Sequence, residues 1–325
     1  IALATHGTGN GTIVNDNGIN FLTASVGGNL NATATDGNII DTGVLGITGN
    51  STFTAADGHS VYLDSLNTFT GTVTFASGGN LENVTIRDQS DLDLTALTLG
   101  TGGDLTVTTT GTLSDSGALV IPGTTTITAT GQVVDLDHTS NNFATITFGS
   151  SAAVSTVEVV DTNGIIIGAS ESTGDFTITA GDDVTDSGTV TVGGDLTVTT
   201  SAGNGTITLN QLAVVASDLN TITLTTHNTG DDDSHATIVN TGAVKFAASS
   251  VDGNLDVTAT TGDITQTGAL AITGTTTLLT SAVGADIDLS TATNAFTGAL
   301  TITTNDNTDY EAHASIDGGT TALII

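Results

Sequence analysis

One short motif recurs four times along the chain and constrains its fold more than any other feature. A glycine, an Asn or Asp and a large apolar residue come together in Gly28-Asn29-Leu30, Gly103-Asp104-Leu105, Gly174-Asp175-Phe176 and Gly253-Asn254-Leu255. The motif glycines are 75, 71 and 79 residues apart, and a second glycine follows each motif about 20 residues later, as Gly49, Gly123, Gly194 and Gly274. An internal period of this length predicts stacked repeats in which each module contacts mainly its neighbours.

Within the modules, apolar residues alternate with threonine, as in residues 105–108 (LTVT), 196–199 (LTVT) and 222–225 (ITLT). A period of two places one face of a β-strand inward, and Gly, Asn and Asp interrupt the runs as turns require. Short strands of this kind also build β-sandwiches, but the recurrence of equivalent strands in the same order favours parallel coils. We therefore predict an all-β chain, with residues 1–325 forming one continuous parallel β-helix (β-solenoid) whose modules cover approximately 28–102, 103–173, 174–252 and 253–325.

The composition excludes several classes of function. Two Lys and Arg residues stand against 34 Asp and Glu residues, which gives a formal charge of −32. A chain this acidic lacks the basic surface that nucleic acids and anionic lipids require. It also has no apolar stretch of 18 residues, so we predict no membrane insertion. Cys is absent, which excludes disulfides and thiol chemistry, and we predict no required cofactor.

Several stretches carry a resemblance to a known family. They are residues 253–259 (GNLDVTA), 263–277 (DITQTGALAITGTTT), 286–289 (DIDL) and 294–302 (NAFTGALTI). These residues resemble the repeats of giant bacterial surface proteins related to filamentous haemagglutinin. The resemblance covers essentially the whole chain and is weakest around residues 150–172. It implies a right-handed parallel β-helix, export to the cell exterior and roles in adhesion, biofilm or surface coats, and it brings no catalytic residues with it.

Clusters of acidic residues are the candidate metal ligands. Calcium takes six to eight oxygen ligands, which Asp side chains and the backbone carbonyls of glycine-rich turns supply. The candidates are Asp182, Asp183, Asp186, Asp231, Asp232, Asp233, Asp306 and Asp309. The alternative is that these carboxylates are solvated turn residues that keep a Thr-rich protein soluble.

Catalysis is not expected. Parallel β-helices include polysaccharide lyases and hydrolases, which need paired acids and often basic residues in a groove. Here Arg87 and Lys245 lie in different modules, and nothing distinguishes the pair Asp91 and Asp93 from outward-facing strand residues. We predict that the protein is not an enzyme. A polysaccharide-active β-helix and an ice-binding surface made by the Thr runs remain as less favoured alternatives.

Recurrent Phe and Asn residues point to the interior and to the turns. Phe69, Phe143 and Phe296 share one position in the modules, and Phe75 and Phe148 share another, which predicts a stacked aromatic core. The neighbouring Asn67, Asn142 and Asn294 are predicted to tie turn backbones through their side-chain amides. The six histidines are predicted to lie in surface turns.

These features predict a mechanical role outside the cell. The first and last segments, residues 1–3 and 322–325, are apolar and do not look like the polar caps that solenoids need. We expect an extracellular structural protein of the cell surface that stacks end to end on copies of itself into a filament or sheath. The alternative is a stalk segment of a giant secreted adhesin, and host or surface glycans are a further candidate partner.

Overall fold

The computed structural model describes residues 1–77, 79–149, 152–201, 203–215, 220–228, 234–320 and 322–324. In this part of the chain the regular secondary structure is β-strand, and none of it is a helix long and apolar enough to cross a bilayer. The chain divides into two compact units, Ile1–Asp161 and Thr162–Ile325.

The first unit contains strands β1 to β19. In chain order they are Ala2–Ala4, Gly11–Asn15, Ile19–Phe21, Thr23–Val26, Leu30–Ala34, Ile39–Asp41, Leu45–Ile47, Ser51–Ala55, Val61–Phe69, Val73–Ser77, Val84–Asp88, Leu92–Leu94, Leu97–Thr98, Leu105–Thr109, Leu113–Asp115, Leu119–Thr128, Val134–Leu136, Asn142–Phe148 and Val157–Asp161.

The second unit contains strands β20 to β38. In chain order they are Ile165–Ile167, Ser170–Ser172, Phe176–Ala180, Val184–Asp186, Val190–Val192, Leu196–Thr200, Ile207–Val214, Ile222–Thr225, Ala236–Asn240, Val244–Phe246, Ser249–Val251, Leu255–Ala259, Ile264–Gln266, Leu270–Ile272, Thr276–Val283, Ile287–Leu289, Ala295–Phe296, Leu300–Asn305 and Ala314–Ile316.

Each unit is a parallel β-solenoid, which confirms the predicted all-β fold. In the first unit β2, β5, β8 and β10 are consecutive parallel neighbours on one face, and β9, β11, β14 and β16 are consecutive neighbours on another. In the second unit β22 pairs with β25 and then β27, while β28 pairs with β31 and then β34. Across the described residues the two units together hold about 14 turns.

The alternation of apolar residues and threonine produces the core. In β14 and β25, both of sequence LTVTT, the Leu and Val side chains are buried and the threonines between them are half-exposed. In-register pairing then places like residues on one another, so that Ile86, Val107 and Ile127 form one inward column. Within each unit a stacked apolar core therefore follows from this two-residue period.

The recurrent phenylalanines are buried, as the sequence predicts. Phe69, Phe143, Phe148 and Phe296 are at most 1% exposed, and Phe75 is 5% exposed. In the first unit Phe53 lies among three other rings. Its centroid is 5.9 Å from that of Phe69, 6.1 Å from that of Phe75 and 6.4 Å from that of Phe21.

Candidate functional site: side-chain ladders along the solenoid

The first unit carries a column of Asn side chains that link successive turns. Asn10 Oδ1 accepts a hydrogen bond from the backbone N–H of Asn29 at 2.8 Å. Asn29 Oδ1 does the same for Asn50 at 2.9 Å, and Asn50 Oδ1 for Thr72 at 3.2 Å. We call such a column, in which a side chain on one turn accepts from the backbone of the next, an Asx ladder, and each side chain a rung.

A second Asx ladder runs along another edge of the same unit. Asn38 Oδ1 accepts from Ser60 N–H at 2.9 Å, and Ser60 Oγ from Asn83 N–H at 3.2 Å. Asn83 Oδ1 then accepts from Asp104 N–H at 2.9 Å, and Asp104 Oδ1 from Thr124 N–H at 2.7 Å. Because a serine hydroxyl serves as well as an amide or carboxylate oxygen, the ladder depends on an acceptor at this position and not on one residue type.

The second unit has Asx ladders of the same construction. Asp175 Oδ1 accepts from Asp195 N–H at 2.9 Å, and Asp195 Oδ1 accepts from Thr221 N–H at 2.7 Å. Further rungs join His235 to Asn254, Asn254 to Thr275, Asp263 to Asp286 and Asp286 to His313, with distances of 2.7 to 2.9 Å.

The second glycine, which follows each motif about 20 residues later, leaves space for the rung of the preceding turn. Gly49 N–H donates to Gly28 O at 3.0 Å, and a Cβ added to Gly49 would lie under 3.0 Å from Asn29 Oδ1. The same close approach to a rung oxygen occurs at Gly123, Gly194 and Gly274. The motif and its following glycine are therefore two parts of one contact, the rung and the surface on which it rests.

Buried carboxyl and amide groups form a polar corner inside the first unit. Asp41 is 5% exposed and Asn67 is fully buried. Asn67 Nδ2 donates to Asp41 Oδ2 at 2.6 Å and to Leu63 O at 3.2 Å, while its Oδ1 accepts from Leu45 N–H at 2.8 Å. The amide thus bonds to Leu63 on its own turn and to both Asp41 and Leu45 on the preceding turn.

The corner recurs one module later with Asp115 and Asn141. Asn141 Nδ2 donates to Asp115 Oδ2 at 2.7 Å and to Leu136 O at 3.1 Å, and its Oδ1 accepts from Leu119 N–H at 2.8 Å. The sequence predicted Asn142 for this role, which is wrong by one residue. Asn142 begins β18 and is half-exposed, because the strand alternation turns its neighbour inward.

In the second unit the corner is formed in one module and incomplete in another. Gln266 and Asn294 exchange two side-chain hydrogen bonds of 2.8 and 2.9 Å, and Asn294 Oδ1 also accepts from Leu270 N–H. At the corresponding places of the other module stand Asp186 and Leu212. The leucine has no amide, and within the described residues Asp186 Oδ1 is buried without a hydrogen-bond partner.

A further inward acceptor recurs at the ends of β11, β19 and β28, as Asp88, Asp161 and Asn240, whereas Asn15 at the end of β2 is exposed. Asp88 is 1% exposed and accepts from Phe69 N–H at 2.9 Å, while Asn240 accepts from Val214 N–H at the same distance. Burial raises the pKa of the Asp88 carboxyl to about 6, although the hydrogen bonds that Asp88 accepts act to lower it. Burial also raises the pKa of Asp41 and of Asp115.

The predicted calcium ligands form three separate clusters along the sequence, and the structure describes two of them. Asp182 and Asp183 are exposed at a turn, where Asp183 Oδ1 accepts from Thr206, whereas Asp186 is half-buried at the inner corner. Asp306 and Asp309 are exposed, and Asp231, Asp232 and Asp233 lie outside the described residues. In the part of the chain that the structure describes, no three His, Cys, Asp or Glu side chains are arranged to hold a metal ion.

Surface depressions accompany the ladders. One in the first unit has a volume of about 460 Å³ and is lined by Asn50, Thr72, Asp91, Asp93 and Ser114 among others, and Asp93 Oδ1 is buried there without a partner in the described structure. Another, in the second unit, has a volume of about 310 Å³ and is bordered by His235, Asp252 and three stacked glycines.

Comparison with known families gives one match. Four successive stretches, residues 8–76, 81–148, 154–230 and 233–303, match a family described as repeats of unknown function (DUF5649). These repeats begin about 20 residues, or one turn, before the modules drawn from the Gly-Asx motif. No curated protein and no solved structure matches the chain.

Proposed function

We propose that this chain, which belongs to the DUF5649 family of repeats of unknown function, is an extracellular structural protein whose solenoids stack end to end into a surface filament or sheath. The observation that supports this most is the interchangeability of the turns. Successive turns pair through parallel strand edges, and in both units side-chain acceptors recur from one turn to the next along the ladders. A turn of a second copy offers the same groups, and unpaired strand edges are templates for such pairing.

Charge supports growth along the axis over growth sideways. The formal charge is −32, and Asp182, Asp183, Asp306 and Asp309 are all exposed. Like charges on the sides of neighbouring molecules repel, whereas a backbone-paired end buries hydrogen-bonding groups. The resemblance of residues 253–302 to repeats of filamentous haemagglutinin-like proteins supports a location at the cell surface and a role without catalysis.

Electron microscopy and sedimentation of the full chain test the proposal together. We expect unbranched fibres that are resolved into separate subunits and shorten on dilution. A single sedimenting species of one chain mass at every concentration would contradict the filament.

The second candidate is a stalk segment of a giant adhesin. Four repeats in tandem support it, because repeat arrays extend by adding modules within one chain. A stalk predicts isolated particles in the same micrographs, so one experiment separates the two functions.

Surface glycans are the further partner that we propose, and the depression beside Asp93 is the place for them. Its hydroxyl, amide and carboxylate groups match the donors and acceptors of a neutral sugar. Titration with neutral oligosaccharides, followed by NMR, should shift the signals of Thr72 and Ser114. Shifts spread evenly over both units would argue against this site.

A further inference from the structure

One rung of the second unit differs chemically from the others. The rungs described above are otherwise Asn, Asp or Ser, but Asn254 N–H donates to the ring nitrogen Nδ1 of His235 at 2.9 Å. The ring rests on Gly253, where an added Cβ would lie under 3.0 Å from Nδ1. The ladder continues to the next turn, where Asn254 Oδ1 accepts from Thr275 N–H at 2.8 Å.

A histidine rung depends on its protonation state in a way that the other rungs do not. A neutral imidazole has one acceptor nitrogen, whereas a protonated imidazole has two donors and no acceptor. An Asn oxygen remains an acceptor throughout the range from pH 5 to 8. We propose that His235 is a pH-sensitive rung, whose protonation breaks the bond from Asn254 and loosens this corner of the second unit.

The surroundings of His235 allow protons to reach it. The ring is half-buried and borders the depression of about 310 Å³. The titratable groups on this turn and the following one are Asp252 and Asp256 on the following turn and His227, whose Nδ1 lies 3.9 Å from Asp252 Oδ2. Asp183 lies two turns back, where it accepts from Thr206 on the intervening turn. Asp252 borders the same depression, so a carboxylate lies on the same open surface as the ring.

Amide hydrogen exchange of the full chain, followed by NMR, tests the proposal. The quantity to compare is the protection factor of the Asn254 amide, which corrects for the intrinsic pH dependence of exchange. As the His235 ring signals titrate, we expect this factor to fall about tenfold, the loss that corresponds to one hydrogen bond. The Asn50 amide, held by the Asn29 oxygen, should keep its protection over the same range.

His235→Asn is the matched variant, because it places the commonest rung residue at this position. Its Asn254 amide should stay protected from pH 8 to pH 5. Constant protection in the unmodified chain while the His235 ring becomes protonated would overturn the proposal, as would a ring that stays neutral down to pH 5. An equal loss of protection in His235→Asn would assign the effect to the neighbouring carboxylates and would also overturn it.

Discussion

At the scale of single residues, the glycines and acceptors of the motif act as pairs. Gly49 is needed because Asn29 Oδ1 occupies the space that a side chain would fill. Gly46, in contrast, lies in β7 with an extended backbone, and its nearest neighbour to an added Cβ is Ala24 O at 3.8 Å. Two glycines three residues apart therefore have opposite tolerance for substitution.

Gly49→Ala should destabilise the first unit by about 1–3 kcal/mol, because the methyl group displaces the Asn29 rung or the backbone beneath it. Gly46→Ala should be neutral or stabilise by about 0.4–1 kcal/mol, since it only restricts the unfolded chain. Urea unfolding of both variants measures the difference. Equal changes in unfolding free energy for the two variants would show that contact with the Asn29 rung is not what requires glycine at position 49.

Asp88 should make the first unit more stable in mild acid. Its pKa in the folded chain is about 6, above its ordinary value of 3.8, so the folded state binds the proton more tightly. The resulting stability is fully present below about pH 4 and is lost as the pH rises through 6, and a shift of about two units corresponds to about 3 kcal/mol.

Asp88→Asn removes this dependence while keeping the acceptor, as Asn240 does at the corresponding position in the chain. The free energy of unfolding of the unmodified protein, minus that of the variant, should therefore fall by about 2 kcal/mol between pH 4 and pH 6. Parallel curves for the two proteins in urea titrations would refute the assignment to Asp88.

At the scale of strands and turns, the polar corner shows how a single residue of register decides a role. Asn141 and Asn142 are adjacent and chemically identical, yet one bridges two turns from the interior and the other is half-exposed. The sequence predicted an amide bridge near this point but assigned it to the wrong residue. Strand alternation fixes which side chains face inward only once the strand boundary is known.

Asn141→Leu should cost about 2–4 kcal/mol, because it leaves Asp115 Oδ2 and Leu119 N–H without their partner. Asn142→Leu is the control and should change stability by no more than about 0.5 kcal/mol. Thermal and urea unfolding of the pair provide the comparison. A comparable loss of stability in both variants would indicate that the strand propensity of the new residue, and not the buried bridge, causes the destabilisation.

The aromatic cluster of the first unit should behave as one cooperative element. Phe53 contacts the rings of Phe21, Phe69 and Phe75, which lie on different strands. Phe53→Leu and Phe69→Leu should therefore couple by about 0.5–1.5 kcal/mol in a double-mutant cycle of unfolding free energies. Strict additivity would mean that the rings contribute through buried area alone.

At the scale of the whole molecule, the repeat and the alternation were enough to predict a parallel solenoid and its aromatic interior. The inward carboxylates Asp41, Asp88 and Asp115 were not predicted, because a hydrophobic pattern assigns charged residues to the surface. Asp182, Asp183 and Asp186 illustrate the converse: they are close in the sequence, but a turn followed by a strand directs them to different surroundings.

The proposed end-to-end assembly should respond to salt. With a formal charge of −32, end-to-end approach is opposed at low ionic strength, where the Debye length is about 30 Å at 0.01 M, and much less at 0.15 M, where it is about 8 Å. Light scattering should therefore show fibres forming faster as salt is added. Assembly that slows with salt would point to charge pairing with a partner instead.

The length of the rung hydrogen bonds does not depend on how many residues separate the donor from the acceptor. Neighbouring acceptors and donors lie from 19 to 27 residues apart along the sequence, yet the hydrogen bonds that join them all measure close to the same length. Extra residues must therefore leave the column and return to it, adding to the circumference of a turn without adding to its height. Such excursions are places where a grafted peptide could be displayed at a fixed spacing, with the scaffold beneath it unchanged.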